Sequence, residues 1–98
     1  MEEAEDLSAR AKSTAKAGDM EAALKLFLRA AASAPNVPGH LSNAGAVLMY
    51  LKRPEEAMMY FEKALALDPD NAMIRKQVDK YFPRSDSYER TRTNAADA

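Results

Sequence analysis

The chain has no cysteine, so neither a disulfide framework nor a thiolate metal site can form. It has no excess of either charge, with 14 basic and 15 acidic side chains giving a net charge of −1. Nucleic-acid binding by bulk electrostatics needs a concentrated basic surplus and is not expected. No apolar run approaches the roughly 18 residues a bilayer-spanning helix requires. The opening MEEAEDLSARAK carries acids where a secretory leader carries basic residues, and no apolar stretch follows, so no signal peptide is expected. These absences predict a cytoplasmic protein. There is one histidine, His40; it lies at the start of a predicted helix without an acid partner nearby in sequence, and reads as a solvated surface group. With no Gly-rich phosphate loop either, no constellation supports catalysis, and an enzyme is not expected. Hard cations need oxygens clustered at loop spacing. Asp68, Asp70 and Asp79 read instead as a turn and a helix surface, so neither a metal nor a cofactor is expected.

What is present is alanine-rich periodicity. The 98 residues suffice for one domain, and much of the 47% hydrophobic content is alanine, which points to a core of small side chains. The clearest stretch is PEEAMMYFEKALALDPDN, residues 54–71. Ala57, Met58, Phe61, Ala64 and Leu65 recur three and four residues apart, on one face of a helix. Pro54 suits the first turn, Glu55 and Glu56 face the positive helix end, and Pro69 disfavours helix at Asp68.

Shifting the chain by 34 residues superposes Ala23 on Ala57, Phe27 on Phe61, Ala30 on Ala64 and Pro35 on Pro69. A helix-turn-helix unit recurring with that period is a stacking repeat. Five helices are predicted, at about 2–17, 20–34, 38–51, 54–67 and 71–82. The first has Ala4, Leu7, Ala11 and Thr14 inward; it is the weakest and the most prone to fray. Gly18 should end it as a left-handed cap, with Asp19 capping the next. The second buries Ala23, Leu24, Phe27, Ala30 and Ala31, and the third turns Leu41, Ala44, Gly45 and Leu48 inward. Gly45 in mid-helix costs about 1 kcal/mol relative to alanine, which a close approach by a neighbouring helix would explain. Ile74, Val78, Tyr81 and Phe82 are the apolar positions of the fifth helix, and Pro83 closes it. Residues 84–98 lack an apolar period and read as a disordered polar tail.

These residues resemble the tetratricopeptide repeat family. Residues 38–71 supply Ala44-Gly45, Leu48, Ala57, Phe61, Ala64 and Pro69; residues 4–37 supply Leu7, Gly18, Ala23, Phe27, Ala30 and Pro35. The departures are Lys52, where glycine is usual, Leu48, where an aromatic is usual, and Arg10-Ala11 with Thr14 in the first unit. The resemblance implies an all-α helix-turn-helix stack, a right-handed superhelix of two repeats plus a C-terminal capping helix, together occupying residues 1–83. It also implies that the first helix of each unit lines a concave groove for a peptide segment.

In the family register the groove positions are Ser8, Lys12, Ala15 and Lys16 from the first helix; Ser42, Asn43, Ala46, Met49 and Tyr50 from the third; and Met73, Lys76, Gln77 and Lys80 from the fifth. Small residues leave room for a guest chain, Asn43 suits its backbone, and the lysines favour an acidic segment or a C-terminal carboxylate. The expected contacts are therefore Lys12, Asn43, Met49, Tyr50, Met73, Lys76, Gln77 and Lys80. The carboxylate clamp with which some family members hold chaperone tails maps onto Ser8, Lys12, Asn43, Met73 and Gln77. Only Asn43 matches it, so that mode is not expected. Leu26 and Tyr60, 34 residues apart, with Met59 beside Tyr60, suggest a second surface unless they are half-covered by the next unit. The expected function is a non-catalytic adaptor or assembly subunit binding a partner protein. The alternative is self-association through the terminal helices, because repeat stacks usually need about three units.

Overall fold

The computed structural model describes residues 3–83; the tail expected at 84–98 lies outside them. The elements are α1 (Ala4–Lys16), α2 (Met20–Ser33), α3 (Pro38–Tyr50), α4 (Pro54–Leu67) and α5 (Ala72–Tyr81), each within two residues of its predicted bounds. α1 packs on α2 and α3 on α4, while α2 joins the two hairpins through α3 and α5 leans on both α3 and α4. The fold is an all-α helical repeat stack.

The 34-residue period is visible in the backbone as well as the core. After α1, Gly18 takes a left-handed φ of 97°. Its N–H donates to the Ala15 carbonyl (2.9 Å) while that of Asp19 donates to Thr14 (3.1 Å), which satisfies two carbonyls the helix end would otherwise leave unpaired. One period later Lys52 takes a φ of 62°, and the N–H groups of Lys52 and Arg53 reach Met49 (3.0 Å) and Leu48 (2.9 Å). The turn geometry therefore survives the loss of glycine, at the cost of placing a Cβ against the carbonyl, about 1–2 kcal/mol. Lys52→Gly is expected to raise stability by about 1 kcal/mol once the greater freedom of glycine in the unfolded chain is deducted. An unchanged urea midpoint would show that Lys52 makes a compensating contact.

The ends of α2 and α4 match in the same way. Ala34 and Asp68 are both extended (φ −134°, ψ 73° and φ −146°, ψ 80°), the conformation a following proline imposes. Each accepts an N–H from three residues on, Val37 and Asn71, at 3.1 Å. The helix starts differ. Asp19 caps α2 by accepting from Ala22 N–H at 3.1 Å, and Asn71 caps α5 by accepting from Ile74 N–H at 3.0 Å. At the start of α4, Arg53 instead forms two 2.8 Å bonds to the Glu56 carboxylate and lies 3.9 Å from Glu21 on α2. The hydrogen bond from Arg53 lowers the pKa of Glu56. Its stabilising effect is therefore present above the ordinary carboxylate pKa and fades as pH falls through the lowered one; both groups are exposed, so the effect is small.

The core follows the expected positions. Ala11, Ala23, Ala30, Ala44, Ala57, Ala64 and Phe61 have no exposed surface, and Leu7, Leu48 and Ile74 have almost none. Two details of α1 differ from the sequence reading. Ser8 is buried, and Thr14 is only half-buried because its Oγ1 donates back to the Arg10 carbonyl at 2.7 Å. Gly45 lies against the ring of Phe61: a Cβ there would meet Cε2 and Cζ at 3.0 Å. The neighbouring helix that approaches Gly45 closely is thus α4, within the second unit. The far side of that ring meets α5, with Tyr81 stacked at 6.0 Å and Phe82 edge-on at 6.3 Å between centroids.

Candidate partner-binding surface

The expected groove positions come from α1, α3 and α5, and repeat symmetry relates them. Lys12 and Lys80 are two periods apart and share one register position, which Ala46 fills on α3; Lys76, Ser42 and Ser8 share another. Ser8 and Ser42 are buried rather than facing a guest, and the Ser42 Oγ donates to the Gly39 carbonyl at 3.0 Å. They form a floor of small side chains. Lys12, Lys76 and Lys80 are exposed, while Asn43, Met49 and Gln77 are half-buried. Met49 also packs against the core cluster, so it is anchored at its base. Tyr50 and Met73 are the two most exposed large apolar side chains, at 71% and 74%. Lys80 places its Nζ 5.4 Å from the centroid of the Tyr81 ring, which draws the cation toward the end of α5.

Among the described residues no group of histidine and carboxylate side chains is arranged to hold a metal ion, and no helix is long and apolar enough to cross a membrane. A shallow depression between α4 and α5 is lined by Leu65, Arg75, Val78 and Asp79. It lies on the outer side of α5, where Arg75 folds back to donate from Nε to the Pro69 carbonyl at 2.8 Å.

Residues 41–71 match the family model described as tetratricopeptide repeat. The match covers most of the α3–α4 unit, and the α1–α2 unit outside it repeats the same turns and alanine–phenylalanine–alanine core. No curated protein matches the chain in sequence. Tetratricopeptide repeats generally mediate protein–protein interaction, and the family is typically non-catalytic.

One sequence reading is corrected, and one open alternative is decided. His40 is not a solvated surface group: it retains 7% of its exposure, and its buried Nδ1 has no hydrogen-bond partner. The readable signal was the period itself, since 34 residues on stands Ile74, which was assigned inward and is buried. The second surface is also smaller than its apolar residues suggested. Leu26 and Tyr60 are half-buried against the core cluster, Lys63 lies over the Tyr60 ring at 5.3 Å, and only Met59 is exposed, at 42%.

Proposed function

We propose that the chain is a non-catalytic interaction module that holds an extended or helical segment of a partner protein across α1, α3 and α5, as a cytoplasmic adaptor or assembly subunit. The observation that carries this reading is the exposure of Tyr50 on α3 and Met73 on α5, with Lys12 exposed on α1 and Lys76 and Lys80 on α5, over a floor of small buried side chains. An aromatic ring and a thioether supply adaptable apolar contact, and Lys12, Lys76 and Lys80 favour acidic residues in the guest. The remaining expected contacts, Asn43, Met49 and Gln77, each keep part of their surface open.

The self-association alternative draws less support. α5 exposes Arg75, Lys76, Asp79 and Lys80, the polar outer face expected of a terminal cap rather than of an apolar dimer interface.

The test pairs Tyr50→Ala with Lys76→Glu. Both side chains are exposed, so far-UV circular dichroism should remain unchanged. Capture of partner protein, measured against the unmodified chain, should fall by about tenfold or more, the effect of losing one aromatic anchor of about 1.4 kcal/mol and reversing one charge. Undiminished capture by the double variant would place the binding surface elsewhere.

A further inference from the structure

We propose that His40 is a protonation-sensitive latch between the two repeat units, holding α3 against the first unit only while its imidazole is neutral. Four observations converge on it. His40 is buried on α3, the first helix of the second unit, and the charges that act on it, Glu5 and Lys12, both stand on α1 of the first unit. It therefore lies at the junction of the units. Its place one period before Ile74 is the same junction position that Ile74 fills with a buried apolar side chain where α5 meets the second unit.

The third observation is the orphan atom. Nδ1 is buried without a partner. A neutral imidazole needs only one donor nitrogen, whereas an imidazolium donates from both. Protonation would thus turn an unpaired acceptor into a buried, charged N–H with no acceptor, which is far costlier to enclose. The fourth is position: His40 stands in the first turn of α3, where the positive end of the helix opposes a cation.

The surrounding charges do not offset this. Burial is the main influence and lowers the pKa of His40 from its ordinary 6.5; Glu5 raises it and Lys12 lowers it. On α2, packed against α3, the charged Glu21, Lys25 and Arg29 are exposed, as are the charged side chains of α4 and α5. As pH falls below 6.5 the unfolded chain takes up the proton first. The contribution of His40 is therefore fully present above that pH and is lost on acidification toward the lowered value. Loss of the latch weakens the seating of α3 on the first unit and with it the register of the α1 and α3 sides of the groove, so the binding surface is complete only near neutral pH.

The chain has one histidine, so its imidazole C–H resonances are unambiguous in an NMR titration of the full chain. The titration midpoint is expected below 6.5. In urea melts at about pH 7.5 and about pH 5.5, the unfolding constant should rise by up to about tenfold per pH unit more for the natural chain than for His40→Ile or His40→Gln. His40→Ile copies the residue one period on and is chosen because it should fold. Amide exchange in α1 should accelerate on acidification relative to α4, after correction for the intrinsic pH dependence, and the variants should abolish that difference. A midpoint at or above 6.5, or the same pH response in chain and variants, would overturn the proposal. Should neither variant fold, the titration and the α1 exchange in the natural chain decide it.

Discussion

Phe61→Ala is expected to destabilise the protein by about 3–5 kcal/mol, the cost of deleting a fully buried aromatic ring whose surroundings cannot collapse. The ring has no exposed surface and joins three helices: it comes from α4, lies against the backbone of α3 at Gly45, and meets Tyr81 and Phe82 at the end of α5. Each aromatic pair adds about 0.5–1.5 kcal/mol beyond area burial. Alanine would leave a cavity where, among the described residues, ring contacts hold the end of α5, so release of α5 should accompany the loss. A small domain has about 5 kcal/mol or little more to lose, and the variant should be largely unfolded at 37 °C. Thermal melting by circular dichroism checks this; a drop of less than about 10 °C would mean that neighbouring side chains refill the space, since 1 kcal/mol shifts the midpoint of a domain this size by about 4–8 °C.

Gly45→Leu attacks the same contact from the other side. The first added atom would stand 3.0 Å from Cε2 and Cζ of Phe61 and 3.2 Å from Cδ2, and leucine carries three further carbons beyond it. The ring has little freedom to shift, because it also packs against Tyr81 and Phe82. Overpacking of this kind costs about 1–3 kcal/mol and occasionally more, against roughly 1 kcal/mol gained by removing glycine from a helix. With four carbons inserted, the upper end of that range or beyond applies, and a net loss of about 2 kcal/mol and a fall in melting temperature on the order of 10 °C are expected. The useful control is Gly45→Ala. Ala11 occupies the equivalent place in the first unit with no exposed surface, and Phe27 there is 3% exposed, so this fold can seat one methyl group beside the ring. An equal loss from alanine and leucine would show that backbone conformation rather than ring contact selects glycine.

Much of this was legible in the residues because a repeat supplies two readings of one rule. Ala23 and Ala57, Phe27 and Phe61, Pro35 and Pro69 fix the period, and each pair reappears in the structure with the same burial or the same backbone turn. The helix ends were legible because their signals are local: Gly18 needs no Cβ in the left-handed region, Asp19 carries an oxygen at capping reach, and Pro69 restricts Asp68 directly. Lys52 is the exception. It adopts the left-handed turn without glycine, because packing of α4 on α3 outweighs a local penalty of about 1–2 kcal/mol.

The candidate site was less legible. Lys12, Tyr50, Met73, Lys76 and Lys80 could be assigned to the first helices by register, and the structure leaves all of them exposed. Register could not show that Ser8 and Ser42 close beneath them, since a small polar side chain satisfies itself equally well on a surface or, by bonding a carbonyl in its own helix turn, in an interior. His40 was misread for a related reason. Histidine is at home in water, and that local preference outweighed the signal of the period, which places it in register with the buried Ile74.

The sequence by itself determined the helices, their 34-residue period and the small-residue core, because each rests on spacing or on chemistry within a few positions along the chain. Only the tertiary structure decided which aromatic ring Gly45 accommodates, how α5 is held, and that the lone histidine is buried without a partner. Those outcomes depend on side chains far apart in sequence meeting at distances of a few ångströms, and no local pattern carries that information.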